Sequence, residues 1–139
     1  SGALEVSLAC VRFTAELGLP LKLLNGSRAP RQYAARKHLA YLGLQAERSI
    51  GDTGEESPRD VDGFQVATYV RCNAFVLLDG AVCLTARHRH AAFAKLPSDC
   101  RPSQTVTLLV ARGLPGQRLD IERLEVTATG DVLCPQLPE

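Results

Sequence analysis

Arg87-His88-Arg89-His90 is the densest run of chemically capable side chains in the chain. On a strand, alternation places His88 and His90 on one face and Arg87 and Arg89 on the other. Two imidazoles in that arrangement reach one transition-metal ion, but a catalytic centre needs a fuller ligand set and an open position. The residues that follow, Ala91, Ala92, Phe93 and Ala94, supply no carboxylate. A third ligand would have to come from a distant segment, such as the acidic stretch 51–63. The competing reading is a polar strand end with two unconnected histidines.

The same run, taken with Arg28, Arg31, Arg36 and Lys37, forms a candidate basic patch for sulfated glycans or phosphates. Aromatic partners for base stacking are scarce, with four Phe, three Tyr and no Trp. Sixteen basic against fifteen acidic residues leave a net charge of +1, without the excess expected of a phosphate-neutralising protein. Nucleic acid is therefore a disfavoured partner. Asp52, Glu55, Glu56, Asp60 and Asp62 invite a calcium reading, but Asp60-Val61-Asp62-Gly63 is only a fragment of a calcium-loop register. A solvated loop accounts for it more simply.

The five cysteines, Cys10, Cys72, Cys83, Cys100 and Cys134, have no spacing typical of zinc or redox motifs. Two disulfides and one spare thiol are the leading reading, and five buried free thiols the alternative. Cys83–Cys100 and Cys10–Cys134 are the first pairings to consider, with Cys72 left over. Asn25-Gly26-Ser27 is an N-glycosylation acceptor within a Gly/Ser/Pro turn. Together these features point to a secreted or lumenal glycoprotein. There is no nucleophile elbow, phosphate-binding loop or dinucleotide fingerprint, so no catalytic residue and no cofactor is assigned. A Cys/His enzyme built from Cys83 or Cys100 with His38, His88 or His90 has only proximity by chance in its favour.

The elements that would position these residues are mostly strands. Residues 4–13 fit either a strand, by alternation of Leu4, Val6, Leu8 and Cys10, or a helical face of Val6, Cys10, Phe13 and Leu17. A strand ending near Thr14 is favoured, and Gly18, Pro20, Gly26 and Pro30 punctuate a loop. The spacing of Ala35, Leu39, Leu42 and Ala46 predicts an amphipathic helix over about 30–48, capped by Ser27. From Phe64 onward the period is two. Phe75–Leu78 and Ala81–Arg87 read as a hairpin turned at Asp79-Gly80. Val106, Leu108 and Val110 mark another strand, Leu119–Ala128 a further one, and Thr129-Gly130-Asp131 turns it into Val132–Cys134.

Six or seven short strands and one helix predict a mainly β fold, an antiparallel sandwich or jelly-roll-like barrel. The 139 residues suit a single globular domain, and the lack of any Met suggests one excised or processed from a longer precursor. No apolar run is long enough for a membrane-spanning helix. The leading expectation is an extracellular or lumenal non-enzymatic domain that presents loops to a protein or glycan partner. The alternatives are an intracellular protein- or nucleic-acid-binding module using the basic helix, and a metal-dependent jelly-roll enzyme using His88 and His90.

Overall fold

A computed structural model describes residues 8–20, 35–42, 59–60, 66–72, 74–85, 88, 91–113 and 116–136. Within them the fold is mainly β, as the period-two signal requires. Ten strands are formed: β1 Leu8–Gly18, β2 Lys37–His38, β3 Ala40–Tyr41, β4 Arg59–Asp60 and β5 Thr68–Cys72. After these come β6 Phe75–Thr85, β7 Ala94–Lys95, β8 Val106–Arg112, β9 Asp120–Val126 and β10 Asp131–Leu133. A single 3-10 turn, Ser98–Cys100, lies between β7 and β8. Every strand ladder is antiparallel, and the one parallel contact is an isolated bridge between Val66 and Ala81.

The strand order is β2-β5-β6-β1-β8-β9-β10-β7-β3, with β4 added to the outer half of β6. The first and last members of this order are consecutive in the chain, separated only by Leu39. The segment Lys37–Tyr41 therefore pairs with β5 on one side and with β7 on the other, and draws the sheet into a nearly closed barrel. Leu39 N donates to Ala67 O at 2.9 Å, and Leu42 N donates to Phe93 O at 2.8 Å. Leu39 itself is buried in the core.

This corrects the helix expected over 30–48. Within that span residues 37–41 are extended, while residues 30–34 and 43–48 lie outside the described part. Helix propensity is a weak preference, and ladder bonds to both neighbours together with burial of Leu39 outweigh it.

A second correction concerns Asp79-Gly80, which does not turn a hairpin. Both residues lie inside β6, which runs unbroken for 11 residues and pairs with β1 along its whole length. Gly80 does have the positive φ, +123°, that suggested a turn. Its role is instead to admit another backbone, since a Cβ there would stand 2.3 Å from Val66 O. A glycine inside a strand pattern marks close approach as readily as it marks a turn.

Inward-facing Val11, Phe13 and Leu17 of β1 meet Val76, Leu78, Val82 and Leu84 of β6 in the core. Phe93, Leu96, Leu124, Val126, Val132 and Cys134 belong to the same core. Burying each of the larger side chains contributes about 1.5–3 kcal/mol. Two carboxylates meet a cation at the mouth of the β8–β9 hairpin. Arg112 Nε donates to the buried Glu122 Oε1 at 3.1 Å, and its Nη2 lies 3.6 Å from Asp120.

On the outer face, Cys10 and Cys83 stand directly opposite each other and form a disulfide. With Ala81 they make a small second apolar cluster. The expected pairings Cys83–Cys100 and Cys10–Cys134 are thereby corrected, because Cys72, Cys100 and Cys134 are buried free thiols. Sequence proximity suggested Cys83–Cys100, but the bond follows strand register, which places distant residues face to face.

Candidate binding cleft

The ladder between β1 and β8 is short. It consists of Val11 opposite Arg112 and Arg12 opposite Ala111. Beyond that point no further ladder pair joins them, and among the described residues no other strand pairs with either of them on that side. Elsewhere both are well held: β1 pairs with β6 throughout, and β8 pairs with β9 from Val106 to Arg112. The barrel is thus forked between β1 and β8, on the side away from the Lys37–Tyr41 closure.

A cavity of about 500 Å³ lies at the fork, lined by Arg12, Phe13, Thr14, Asp79, Gly80, Leu109, Val110 and Ala111. Its size falls in the range of small-ligand pockets. Arg12 lies across the outer face between Ala81 and Ala111, its register partners on either side. Those two small side chains leave room for the guanidinium, whose Nη2 donates to Gly113 O at 3.4 Å. Thr14 and Asp79 of the lining belong to a polar chain that also takes in Thr68 and Arg36. Arg36 Nη1 donates to Thr68 Oγ1 at 3.0 Å and lies 3.8 Å from Asp79 Oδ2, and Thr14 Oγ1 donates to Asp79 Oδ1 at 3.1 Å.

The rim on the β8–β9 side is apolar. Leu109 is 71% exposed and Ile121 76% exposed, with Leu119 also exposed. Ile121 stands opposite Ala111 and Leu109 opposite Arg123, so Leu109 and Ile121 are diagonal neighbours on one face. The result is a strip that runs from a charged floor on β1 to an apolar shelf on β9. The strip leaves a signal in the sequence. Val106, Leu108 and Val110 set the inward phase of β8, and Leu109 is an apolar residue out of phase. Ile121 is likewise out of phase with the inward Glu122, Leu124 and Val126 of β9.

The residues singled out by type fare differently. Arg36 and Lys37 are exposed on the closing segment, and Arg36 directs its charge to Asp79. Asn25, Arg31, Arg87, Arg89 and His90 lie outside the described residues, and so does the 51–63 stretch apart from Arg59 and Asp60. His88 is described and completely buried. Among the described residues no group of three His, Cys, Asp or Glu side chains is placed to hold a metal ion. His38 Nδ1 donates to Leu39 O at 2.8 Å and its ring meets Tyr41 edge-on, which ties it to the barrel closure.

The cysteines offer little nucleophilic chemistry. Cys83 is spent in the disulfide. Burial, reinforced by the Asp99 carboxylate, pushes the Cys100 thiol up to about 11, and burial with Glu122 nearby pushes Cys134 up to about 12. Thiols so raised are overwhelmingly protonated near neutral pH, whereas attack requires the thiolate.

Among the described residues no helix is long and apolar enough to cross a membrane. Comparison of the chain with protein-family models, with curated proteins and with solved structures finds no match.

Proposed function

We propose that this chain is a non-catalytic binding domain of an oxidising compartment, secreted or lumenal, that takes a protein partner on the outer face around the β1–β8 fork. The observation that carries the reading is the cavity of about 500 Å³ at the fork, with exposed Leu109 and Ile121 beside it. Exposed apolar side chains next to a concave polar floor are the usual anatomy of an interaction site. The Cys10–Cys83 bond supports the compartment, since such bonds persist where the surroundings are oxidising. The acceptor sequence at Asn25 belongs to the same reading, and the contact surface differs from the loops expected at first.

The test uses protein secreted from mammalian cells. Alkylation and intact mass are expected to show Cys10 and Cys83 joined and a glycan on Asn25. Saturable binding of the purified chain to cells or matrix is expected to fall at least about tenfold in Ile121→Asp, a charge placed in the apolar contact. Five free thiols in secreted material, or binding indifferent to Ile121→Asp, would overturn the proposal.

A further inference from the structure

The fork exposes backbone as well as side chains, and the phase of each strand can be read from bonds at its ends. Gly113 N donates to Cys10 O at 2.8 Å, so the even-numbered residues of β1 turn their N–H and C=O groups toward β8. The same bond sets the odd-numbered residues of β8 to face β1. The far side of the hairpin agrees. Thr127 N donates to Asp131 O at 2.9 Å, so Thr127 faces β10 and its neighbour Val126 turns to Val106 of β8. Thr14, Glu16 and Gly18 on one edge, and Thr107 and Leu109 on the other, therefore aim main-chain groups into the cleft. Among the described residues none of these groups has a backbone partner on that side.

The two edges differ in protection. β1 carries Glu16 along its open stretch, the kind of charge that discourages pairing with foreign strands. From Thr105 to Ala111 the β8 edge reads Thr-Val-Thr-Leu-Leu-Val-Ala, without charge, proline or glycine. Val106 and Leu108 face inward there and are only partly buried. An edge with free donors and acceptors above incompletely covered apolar side chains is a template for one more strand.

Resting on the binding-domain reading, we propose that the occupant of the fork is an extended peptide segment of the partner protein, added as a strand along the β8 edge. Its main chain pairs with Thr107 and Leu109. Apolar side chains on its inner side cover Val106 and Leu108, and a basic side chain on its outer side lies near the exposed Glu16. The open stretch Val106–Val110 extends about 16 Å, enough for roughly five peptide residues. A second copy of this chain is a poorer fit. Its own β8 is flanked by β9 and by the β1 of its own fork, whereas the fork narrows to paired strands at Arg12 and Ala111 and admits a slim strand best. This is recognition by strand addition, where main-chain bonds provide affinity and alternate side chains provide selectivity.

The experiment measures fluorescence anisotropy of a short labelled peptide that alternates valine with threonine and lysine, titrated with the full chain. Saturable binding is expected, weakened at least about tenfold when the amides facing β8 are N-methylated or when Leu109→Pro deletes one edge donor. Leu109→Thr, which keeps the donor but trims the apolar side chain, separates the two roles and is expected to weaken binding less than Leu109→Pro does. Proline is tolerated at Leu109 because that N–H is not used toward β9, and an unchanged melting curve checks this. No binding, or binding indifferent to the N-methylated amides and to Leu109→Pro, overturns the strand-addition proposal. So does a self-association of the chain that Leu109→Pro abolishes, which assigns the edge to a second copy. Failure here with Ile121→Asp still abolishing cell or matrix binding leaves the binding-domain reading standing, and failure of both removes it.

Discussion

Cys72, Cys100 and Cys134 are all buried, and each has its thiol raised chiefly by loss of water. The consequence is a stability that depends on alkaline pH. An unfolded thiol ionises at its ordinary value near 8.5–9, while folded Cys134 holds its proton until about 12. A folded pKa above the unfolded one gives stability that is complete below the unfolded value. That stability is lost as pH rises toward the folded value, because the unfolded chain gives up a proton that the folded chain retains. The stability difference between wild type and Cys134→Ala, measured by urea unfolding, is therefore expected to shrink from about pH 8.5 to about pH 10.5. A difference constant over that interval would mean that Cys134 is not held protonated in the barrel. The same raised pKa predicts slow alkylation of native Cys134 at neutral pH.

At the scale of elements, β6 shows how one residue sets a path that local rules misread. Asp79-Gly80 is the strongest short hairpin cue in the chain, and the backbone at Gly80 has the φ of +123° that such a cue implies. The positive φ serves the approach of Val66 and Ala67, with Val66 O and Ala67 Cα at 2.3 and 2.7 Å from where a Cβ would sit. Gly80→Ala combines that collision with an unfavourable φ, and is expected to destabilise the fold by at least about 3 kcal/mol in denaturant unfolding. A cost near 1 kcal/mol, typical of an unremarkable site, would show that the segment 66–67 can move away. The elements after Val106 were legible, because β8, β9 and the Gly130 turn each follow from local alternation and turn chemistry. The closing segment Lys37–Tyr41 was not, since its extended form depends on two partners remote in sequence, β5 and β7. The fork was hidden for a related reason: alternation says which side chains face inward but not where two strands stop pairing. Only the out-of-phase Leu109 and Ile121 hinted at it.

At the scale of the whole molecule, the barrel depends on contacts between distant parts of the chain, and the Cys10–Cys83 bond fixes the largest of them. It links β1 to the outer half of β6 across a sequence separation of 73 residues. In the chain-entropy view, closing a loop of that length in the unfolded state contributes about 4 kcal/mol. The β1–β6 ladder around it supplies its own pairing over 11 residues. Loss of the bond should therefore lower stability without dissolving the sheet. The double substitution Cys10→Ser with Cys83→Ser is expected to fold with an unchanged circular dichroism spectrum and to lose about 2–4 kcal/mol in denaturant unfolding. Its denaturant dependence should steepen, because the unfolded chain without the crosslink exposes more surface. Reduced wild type should behave as the double variant does. A double variant as stable as oxidised wild type would show that the bond adds nothing to a ladder already formed. Complete unfolding would show that the β1–β6 register depends on the crosslink. The predicted intermediate loss corresponds to a barrel whose strand order is set by packing and whose widest loop is held shut by one covalent bond.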